Sequence, residues 1–270
     1  MSAEPIRLVL SDMDGTLLRP DHSLAPAVLD AVAALRGAGA HFSLASSRPP
    51  RALLPYARQL DLQGPVAAFN GGVLLTPDGQ VIEEHFIAAD AVEIVMEYFS
   101  RHPVALWVFA DDQWLLRELT GDYLDVEAHA LGYPPVQVED FVPYLGRAHK
   151  IVASSADFAL LAHMENQLQP MLKGKALAAR SQQYYLDVTA LAANKGNALQ
   201  TLARHWKVSM AQTAALGDGH NDVPMFRQAG LSIAMGQASA EVRAAADVVT
   251  TSNREDGVAK AIRDFILPRV

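Results

Sequence analysis

Short apolar runs alternate with amphipathic stretches along the first quarter of the chain. The runs at Ile6–Leu10, His41–Ala45 and Val66–Phe69 predict buried strands, because they are short and rich in apolar and β-branched residues. Apolar residues at helical spacing predict helices over Leu24–Ala38 and Arg51–Leu60. This β-α-β-α-β order predicts a parallel sheet with helices on its faces.

The pattern changes after about residue 72. Thr76-Pro-Asp-Gly79 lies between two short apolar runs and predicts a hairpin. Beyond it the predicted strands are shorter and aromatic residues are more frequent, with helices predicted over Ala89–Ser100 and Phe158–Leu172. We therefore predict an inserted α+β cap domain over residues 85–189.

Strand and helix patterns alternate again in the last third of the chain. A helix is predicted over Lys195–His205 and a strand over Thr213–Leu216, and further strand and helix signals continue to Ile266. Residues 1–84 and 190–270 are therefore predicted to form one α/β core, a doubly wound parallel sheet of Rossmann-like type.

Composition and net charge exclude some classes of function for this protein. The net charge of −8 over 270 residues argues against a general nucleic-acid binder, which needs a basic face, but not against a small anionic ligand. The absence of cysteine excludes disulfides and thiolate chemistry and is typical of a cytoplasmic protein. No signal peptide, in which a basic region precedes an apolar stretch, is visible, and no apolar run is long enough to span a membrane. Nothing in the pattern specifies an oligomeric state.

Polar side chains follow several predicted strands at their carboxyl ends, where ligands of parallel sheets bind. Asp12 and Asp14 follow the first strand, and Ser46 and Asn70 follow the next two. Gly217-Asp-Gly-His-Asn-Asp222 follows a later strand. Carboxylates gathered at a sheet end need neutralisation, which a divalent cation supplies. The simpler alternatives are an acidic turn at Asp-Gly and a helix N-cap at Asn221 or Asp222.

The order of these motifs resembles the haloacid dehalogenase-like (HAD) hydrolases, and more closely the Cof-type phosphatases with a large C2 cap (class IIB). The matching segments are Asp12-Met-Asp-Gly-Thr-Leu for the first motif, Ser46 in Leu-Ala-Ser-Ser-Arg-Pro for the second, Lys195 in Asn-Lys-Gly for the third, and Gly217-Asp-Gly-His-Asn-Asp222 for the fourth. Asn70-Gly-Gly and Ser252-Asn-Arg-Glu-Asp-Gly-Val-Ala also resemble this group. Ser47 departs from it, because glycine is usual at that position.

The resemblance implies a phosphatase that uses Mg²⁺ and a covalent aspartyl-phosphate. Asp12 would be the nucleophile and Asp14 the general acid and base. The side chains of Asp12 and Asp218 and the backbone carbonyl of Asp14 would bind the metal. Asp222 would orient Lys195 or a water on the metal. The residues implied for phosphate binding are Ser46, Lys195, Asn221, Asn70 and Arg48; for Arg48, a salt bridge at a helix start is an equal alternative.

The cap is expected to select the substrate, a small phosphorylated metabolite such as a sugar phosphate, nucleotide, pyridoxal phosphate or flavin mononucleotide. Its aromatic residues Trp107, Trp114, Tyr184 and Tyr185 could stack on a ring, although core positions are commoner. A sugar phosphomutase and a catalytically weak metabolite-binding regulator are the alternatives. A dehalogenase does not need Asp14, and a nicotinamide-dependent dehydrogenase would need a glycine-rich first turn.

Overall fold

The computed structural model describes residues 4–270. The prediction that no signal peptide is present concerns, in part, the first three residues, which lie outside the described residues. The chain divides into two compact units: the first comprises the residues up to Ser46, Leu53–Ile82 and Asn194–Val270, and the second comprises Ser47–Ala52 and Glu83–Ala193. Within residues 4–270, none of the helices is both long enough and apolar enough to cross a bilayer.

Strands and helices occur throughout both units. The strands are β1 (Leu8–Ser11), β2 (His41–Leu44), β3 (Val66–Ala68), β4 (Val73–Leu75), β5 (Val81–Glu84), β6 (Ala105–Ala110), β7 (Gln113–Leu116), β8 (Val136–Gln137), β9 (Ala148–Ser154), β10 (Ala176–Gln182), β11 (Tyr185–Ala190), β12 (Thr213–Gly217), β13 (Leu231–Ala234) and β14 (Val248–Val249). The helices are α1 (Pro26–Gly37), α2 (Pro50–Gln59), α3 (Ala89–Phe99), α4 (Leu124–Leu131), α5 (Val142–Leu145), α6 (Phe158–Met171), α7 (Lys195–Trp206), α8 (Val223–Phe226), α9 (Ala240–Ala244) and α10 (Gly257–Ala261).

A five-stranded parallel sheet forms the centre of the first unit, in the order β14-β13-β12-β1-β2. This confirms the predicted α/β class. Strand β1 is central and wholly buried, with Leu8 and Leu10 packed against Leu199 and Leu202 of α7. Burial on both faces explains why its first three residues, Leu8 to Leu10, are all apolar instead of alternating with polar residues.

Strand β3 does not extend the parallel sheet as the β-α-β-α-β pattern predicted. It pairs antiparallel with β4, in a separate three-stranded sheet with β5. One parallel bridge, between Ala45 and Ala67, connects it to the end of β2. A strand of three residues followed directly by a turn offers few ladder hydrogen bonds, so the hairpin to β4 determines its pairing.

The second unit contains a six-stranded mixed sheet in the order β10-β11-β9-β6-β7-β8. One face of this sheet packs against α3 and α6 through a core that includes Val95, Phe99 and Leu161. The opposite face carries buried Trp107 and Trp114, whose ring centroids are 5.2 Å apart. The two faces alternate along β6, as the two-residue repeat of a strand requires.

Candidate active site

Three predicted site residues lie at the carboxyl ends of adjacent parallel strands. Asp12 follows β1, Asp218 follows β12, and Ser46 lies just beyond β2. Strand β1 pairs with both β2 and β12, so the sheet itself brings these ends to one edge. The Asp12 amide donates to the Leu216 carbonyl oxygen at 2.9 Å, which continues the ladder up to the candidate nucleophile.

A sharp turn follows Asp12, as the glycine in the motif predicted. Asp12 and Asp14 both have extended backbones, with ψ of 163° and 124°, and Gly15 then turns the chain with φ of 81°. A side-chain Cβ at Gly15 would lie 2.3 Å from Asp218 Oδ2. Glycine is therefore required here both for the left-handed backbone and for the close approach of Asp218.

Lys195 joins two carboxylates in the interior of the site. Its Nζ donates to Asp12 Oδ1 at 2.5 Å and to Asp222 Oδ1 at 2.6 Å, and its side chain is fully buried. Lys195 opens α7, whose N-cap Asn194 accepts a hydrogen bond from the Asn197 amide. Burial alone would lower the pKa of Lys195, but the two carboxylates outweigh burial and raise it, so the ammonium stays charged.

Asp222 is held by the backbone of its own loop. Its Oδ2 accepts hydrogen bonds from the amides of Asp218 and Gly219, each at 2.8 Å, while its Oδ1 accepts from Lys195. A Cβ at Gly217 would lie 2.3 Å from the Asp222 carboxyl carbon, so the glycine makes room for this arrangement. The contact expected between Asp222 and Lys195 is therefore present in the structure.

The acidic residues form a compact cluster of oxygen ligands. Asp12, Asp218 and Asp222 each offer an oxygen that lies within 4.8 Å of the other two. Burial raises the pKa of Asp12, and the charges of Asp222 and Asp218 add to that effect. Burial and the Asp222 charge likewise raise the pKa of Asp218. Buried carboxylates repel one another, and a bound cation would relieve that repulsion. The oxygens of this cluster could therefore serve as ligands for a metal ion.

Asn70 and Asn221 meet beside this cluster. Asn221 Nδ2 donates to Asn70 Oδ1 at 3.2 Å, and the Asn70 amide donates to the Ser46 carbonyl oxygen at 2.7 Å. Phe69 and Asn70 both have left-handed backbones, with φ of 49° and 58°. Consecutive left-handed residues other than glycine are costly, and such strain occurs often at functional sites.

The segment after Ser46 contains Ser47, which stands where glycine is usual, and Arg48, a candidate for phosphate binding. Ser47 is not among the described residues with positive φ, so serine replaces the usual glycine there without left-handed strain. Arg48 is buried in the second unit, where its guanidinium donates to the Ala130 carbonyl oxygen. The phosphate-binding roles of Ser46 and Arg48 remain predictions.

Three further residues support the turn and were not singled out from the sequence. Thr16 Oγ1 donates to Asp218 Oδ1 at 2.9 Å; its place directly after Gly15 in the first motif was an available signal. Gln237 donates to the Gly15 carbonyl oxygen, and Asn253 Nδ2 donates to the Leu18 carbonyl oxygen at 2.8 Å. Asn253 lies in a segment quoted for the family resemblance, whereas no sequence pattern indicated Gln237.

Gly15→Ala is expected to disturb the site more than the fold. The added methyl group would displace Asp218, and the positive φ would cost about 1–2 kcal/mol of stability. Gly39→Ala is the matched control, because Gly39 also has positive φ but no heavy atom within 4 Å of the added Cβ. Urea denaturation should show losses of about this size in both variants, and only Gly15→Ala should lose most of the enzymatic activity of the site. Equal activity in the two variants would show that Asp218 is not needed.

Comparisons with known proteins agree with this geometry. Residues 9–262 match the family model for haloacid dehalogenase-like hydrolases. A putative phosphatase of Haemophilus influenzae is 26% identical over 271 residues, 96% of this chain and 97% of that protein. The pyridoxal phosphate phosphatase YbhA of Escherichia coli is 26% identical over 275 residues, 97% and 99% of the two chains. A haloacid dehalogenase-like hydrolase from Bacteroides thetaiotaomicron has a similar structure, with a TM-score of 0.86, 26% identity, and coverage of 96% of this chain and 98% of that one.

Proposed function

Because this chain belongs to the haloacid dehalogenase-like hydrolases, we propose that it is a Mg²⁺-dependent phosphatase of small phosphorylated metabolites. The observation that carries the proposal is the buried Lys195 between Asp12 and Asp222, with Asp218 beside them at the end of the central sheet. Phosphoryl transfer needs an in-line nucleophile and positive charge around the phosphate oxygens. In this proposal Asp12 supplies the nucleophile, and Lys195 and a bound cation supply the positive charge.

The ligands of the cluster suit Mg²⁺, which prefers oxygen donors. Both Asp222 oxygens already accept hydrogen bonds, so we assign the ion to the side chains of Asp12 and Asp218 and the backbone carbonyl of Asp14. When bound, the ion supplies positive charge that reduces repulsion between the carboxylates and the substrate phosphate. That repulsion is about 4 kcal/mol per pair of unit charges at 4 Å and an effective dielectric near 20.

Asp12 is the nucleophile in this proposal. One carboxylate oxygen of Asp12 attacks phosphorus, and the bond from phosphorus to the ester oxygen breaks. Burial raises the pKa of Asp12, but Lys195 donates to Asp12 Oδ1 at 2.5 Å, which opposes that effect and favours the ionised carboxylate that the attack requires. The product of this first step is an aspartyl-phosphate at Asp12 and an alcohol.

Asp14 moves the protons. Its carboxyl group gives a proton to the departing ester oxygen and then takes a proton from the water that attacks the aspartyl-phosphate. The bond from Asp12 to phosphorus breaks in that second step, which releases inorganic phosphate, restores the Asp12 carboxylate and leaves Asp14 protonated for the next turnover. The partial exposure of Asp14, 36% of its side chain, suits a group that must meet both the leaving oxygen and water.

Phosphate recognition is assigned to Ser46, Lys195 and Asn221, with Asn70 positioning Asn221 through their hydrogen bond. Arg48 is retained as a further candidate. The name of the Escherichia coli relative supports phosphomonoesters of small metabolites as the substrate class. The cytoplasmic location predicted from the cysteine-free sequence is part of the same proposal.

Screening purified protein against phosphorylated metabolites tests the proposed activity. Sugar phosphates, nucleotides, pyridoxal phosphate and flavin mononucleotide should be compared by release of inorganic phosphate. We expect at least one to be hydrolysed faster than p-nitrophenyl phosphate, because the enzyme can use contacts to the rest of a metabolite. Isomerisation of hexose phosphates without phosphate release would instead indicate a mutase.

Removal of the metal is expected to abolish hydrolysis reversibly. EDTA should lower the rate by at least about 100-fold, because only the Lys195 charge then offsets the repulsion of the phosphate by Asp12 and Asp218. Excess Mg²⁺ should restore the rate, whereas an equal excess of K⁺ serves as an ionic-strength control. A rate unchanged after EDTA and gel filtration would contradict the assigned role of the ion.

A further inference from the structure

His22 contacts the side chain assigned to proton transfer. Its Nδ1 lies 3.2 Å from Asp14 Oδ1, and each side chain is 36% exposed. His22 follows the first motif by a few residues and lies outside every segment used to assign the site. The contact therefore joins the candidate acid to a residue with no role so far.

The backbone of His22 is fixed in a conformation that is uncommon for residues other than glycine. Its φ is 61°, in the left-handed region. The His22 amide donates to the Arg19 carbonyl oxygen at 2.8 Å, and the Arg19 amide donates to the Ser23 carbonyl oxygen at 3.0 Å. The Tyr56 hydroxyl donates to the His22 carbonyl oxygen at 3.0 Å. These contacts offset the backbone strain and direct the imidazole to Asp14.

The chain preceding this turn is anchored as well. Arg19 forms an ion pair with Asp256 at 2.8 Å, and Asn253 Nδ2 donates to the Leu18 carbonyl oxygen. The turn bearing His22 is thus joined to the C-terminal part of the first unit and to Tyr56 near the end of α2. An imidazole held on such a turn has a defined position relative to Asp14.

We propose that His22 is a positioning residue that fixes which oxygen of Asp14 carries the proton. This inference rests on the proposed function, in which Asp14 is the acid and base. In this proposal His22 carries its ring hydrogen on Nδ1, which lies 3.2 Å from Asp14 Oδ1 and donates to it, and a protonated carboxyl group has one hydroxyl and one carbonyl oxygen. The oxygen that accepts the N–H bond is the carbonyl oxygen, so the acidic proton lies on Oδ2.

The position of that proton matters most for poor leaving groups. In the first step Asp14 Oδ2–H gives its proton to the ester oxygen while the bond from phosphorus to that oxygen breaks and the Asp12–phosphorus bond forms. An alkoxide needs this proton, whereas p-nitrophenolate is stable enough to leave without it. Loss of the His22 contact should therefore slow alkyl phosphates selectively.

Two substitutions separate the hydrogen bond from the backbone requirement. Asparagine places an N–H donor on the same carbon, Cγ, that bears Nδ1 in histidine, and aspartate places only an acceptor there. Both residues tolerate positive φ better than most. His22→Asn and His22→Asp thus form a matched pair, in which only the donor and the charge change.

The test compares kcat/KM for pyridoxal phosphate, an alkyl phosphate, with that for p-nitrophenyl phosphate. The value of kcat/KM reports only the steps up to the departure of the leaving group. It is independent of the later hydrolysis of the aspartyl-phosphate. We expect His22→Asp to lower the pyridoxal phosphate value by about 10-fold or more and the p-nitrophenyl phosphate value by less than about threefold. His22→Asn should stay within about threefold of wild type for both substrates.

The outcomes distinguish the positioning role of His22 from the proposed phosphatase function on which it rests. Similar losses on both substrates in His22→Asp, or equal behaviour of the two variants, overturn the positioning role while leaving the phosphatase proposal intact. Wild-type hydrolysis that does not depend on Asp12 overturns the proposed function and the inference together. Circular dichroism of each variant confirms that the comparison is made on folded protein.

Discussion

Asp12→Asn is expected to lower kcat/KM for p-nitrophenyl phosphate by about 10⁴-fold or more, the scale seen when a covalent nucleophile is removed. The amide cannot form an acyl-phosphate, and the substitution also removes one carboxylate from the acidic cluster that could hold a metal ion. Initial rates in Mg²⁺ with purified variants measure the effect. A rate near that of wild type would contradict the assignment of the nucleophile.

The same substitution should not weaken the fold in metal-free protein. Burial raises the pKa of Asp12, so as pH rises the unfolded chain loses this proton before the folded protein does. The ionised carboxylate therefore costs stability at neutral pH when no metal is present. We expect the urea midpoint of Asp12→Asn in EDTA to equal or exceed that of wild type, and a lower midpoint would contradict the electrostatic description.

Lys195→Met is expected to lower both activity and stability. Removing one partner of a buried ion pair typically costs about 3–5 kcal/mol, because the remaining charges stay buried without compensation. Here the loss would leave the carboxylates of Asp12 and Asp222 without their shared cation. Urea denaturation in EDTA measures the free energy of unfolding, and phosphate release measures the activity.

Two controls test the cause of that loss. Lys173→Met removes an exposed lysine and should change the free energy of unfolding by less than about 0.5 kcal/mol. Lys195→Met combined with Asp222→Asn should be more stable than Lys195→Met alone, because one uncompensated carboxylate is then absent. Additive effects of the two substitutions would show that the Lys195–Asp222 contact has no energetic importance.

The order of apolar runs predicted a parallel α/β sheet and the place of its acidic edge, although it wrongly assigned β3 to that sheet. Asp12 and Asp218 are far apart in sequence, but parallel strands β1 and β12 carry both to the same edge. The turn at Gly15 followed from its residue type, and its φ of 81° confirms it. These features depend on local composition and on the general geometry of parallel sheets, which a single sequence contains.

Other features depend on contacts that local patterns do not encode. Gln237 reaches the Gly15 carbonyl from 222 positions away, and Lys195 is buried between two carboxylates although lysine is usually exposed. Strand β3 was assigned to the parallel sheet because an apolar run does not specify its partner. His22 was missed because its left-handed backbone, which directs the ring to Asp14, is fixed by tertiary hydrogen bonds.

In the second unit, the sequence left two possible roles for the aromatic residues. Trp107 and Trp114 are 1% and 0% exposed, respectively, and pack on each other, so both are core residues. Tyr184 is only partly buried and stacks on Tyr123 with ring centroids 4.1 Å apart. Composition could not distinguish these cases, because an aromatic ring suits both a core and a binding surface.

Rapid acid quenching with ³²P-labelled substrate tests the central claim most directly, namely that Asp12 carries the phosphoryl group during turnover. We expect label on the peptide containing Asp12 in wild type, its release by hydroxylamine as an acyl-phosphate, and no label in Asp12→Asn. Asp14→Asn should retain the label longer, because it lacks the base that activates water. Label on another peptide, or undiminished label in Asp12→Asn, would contradict the account.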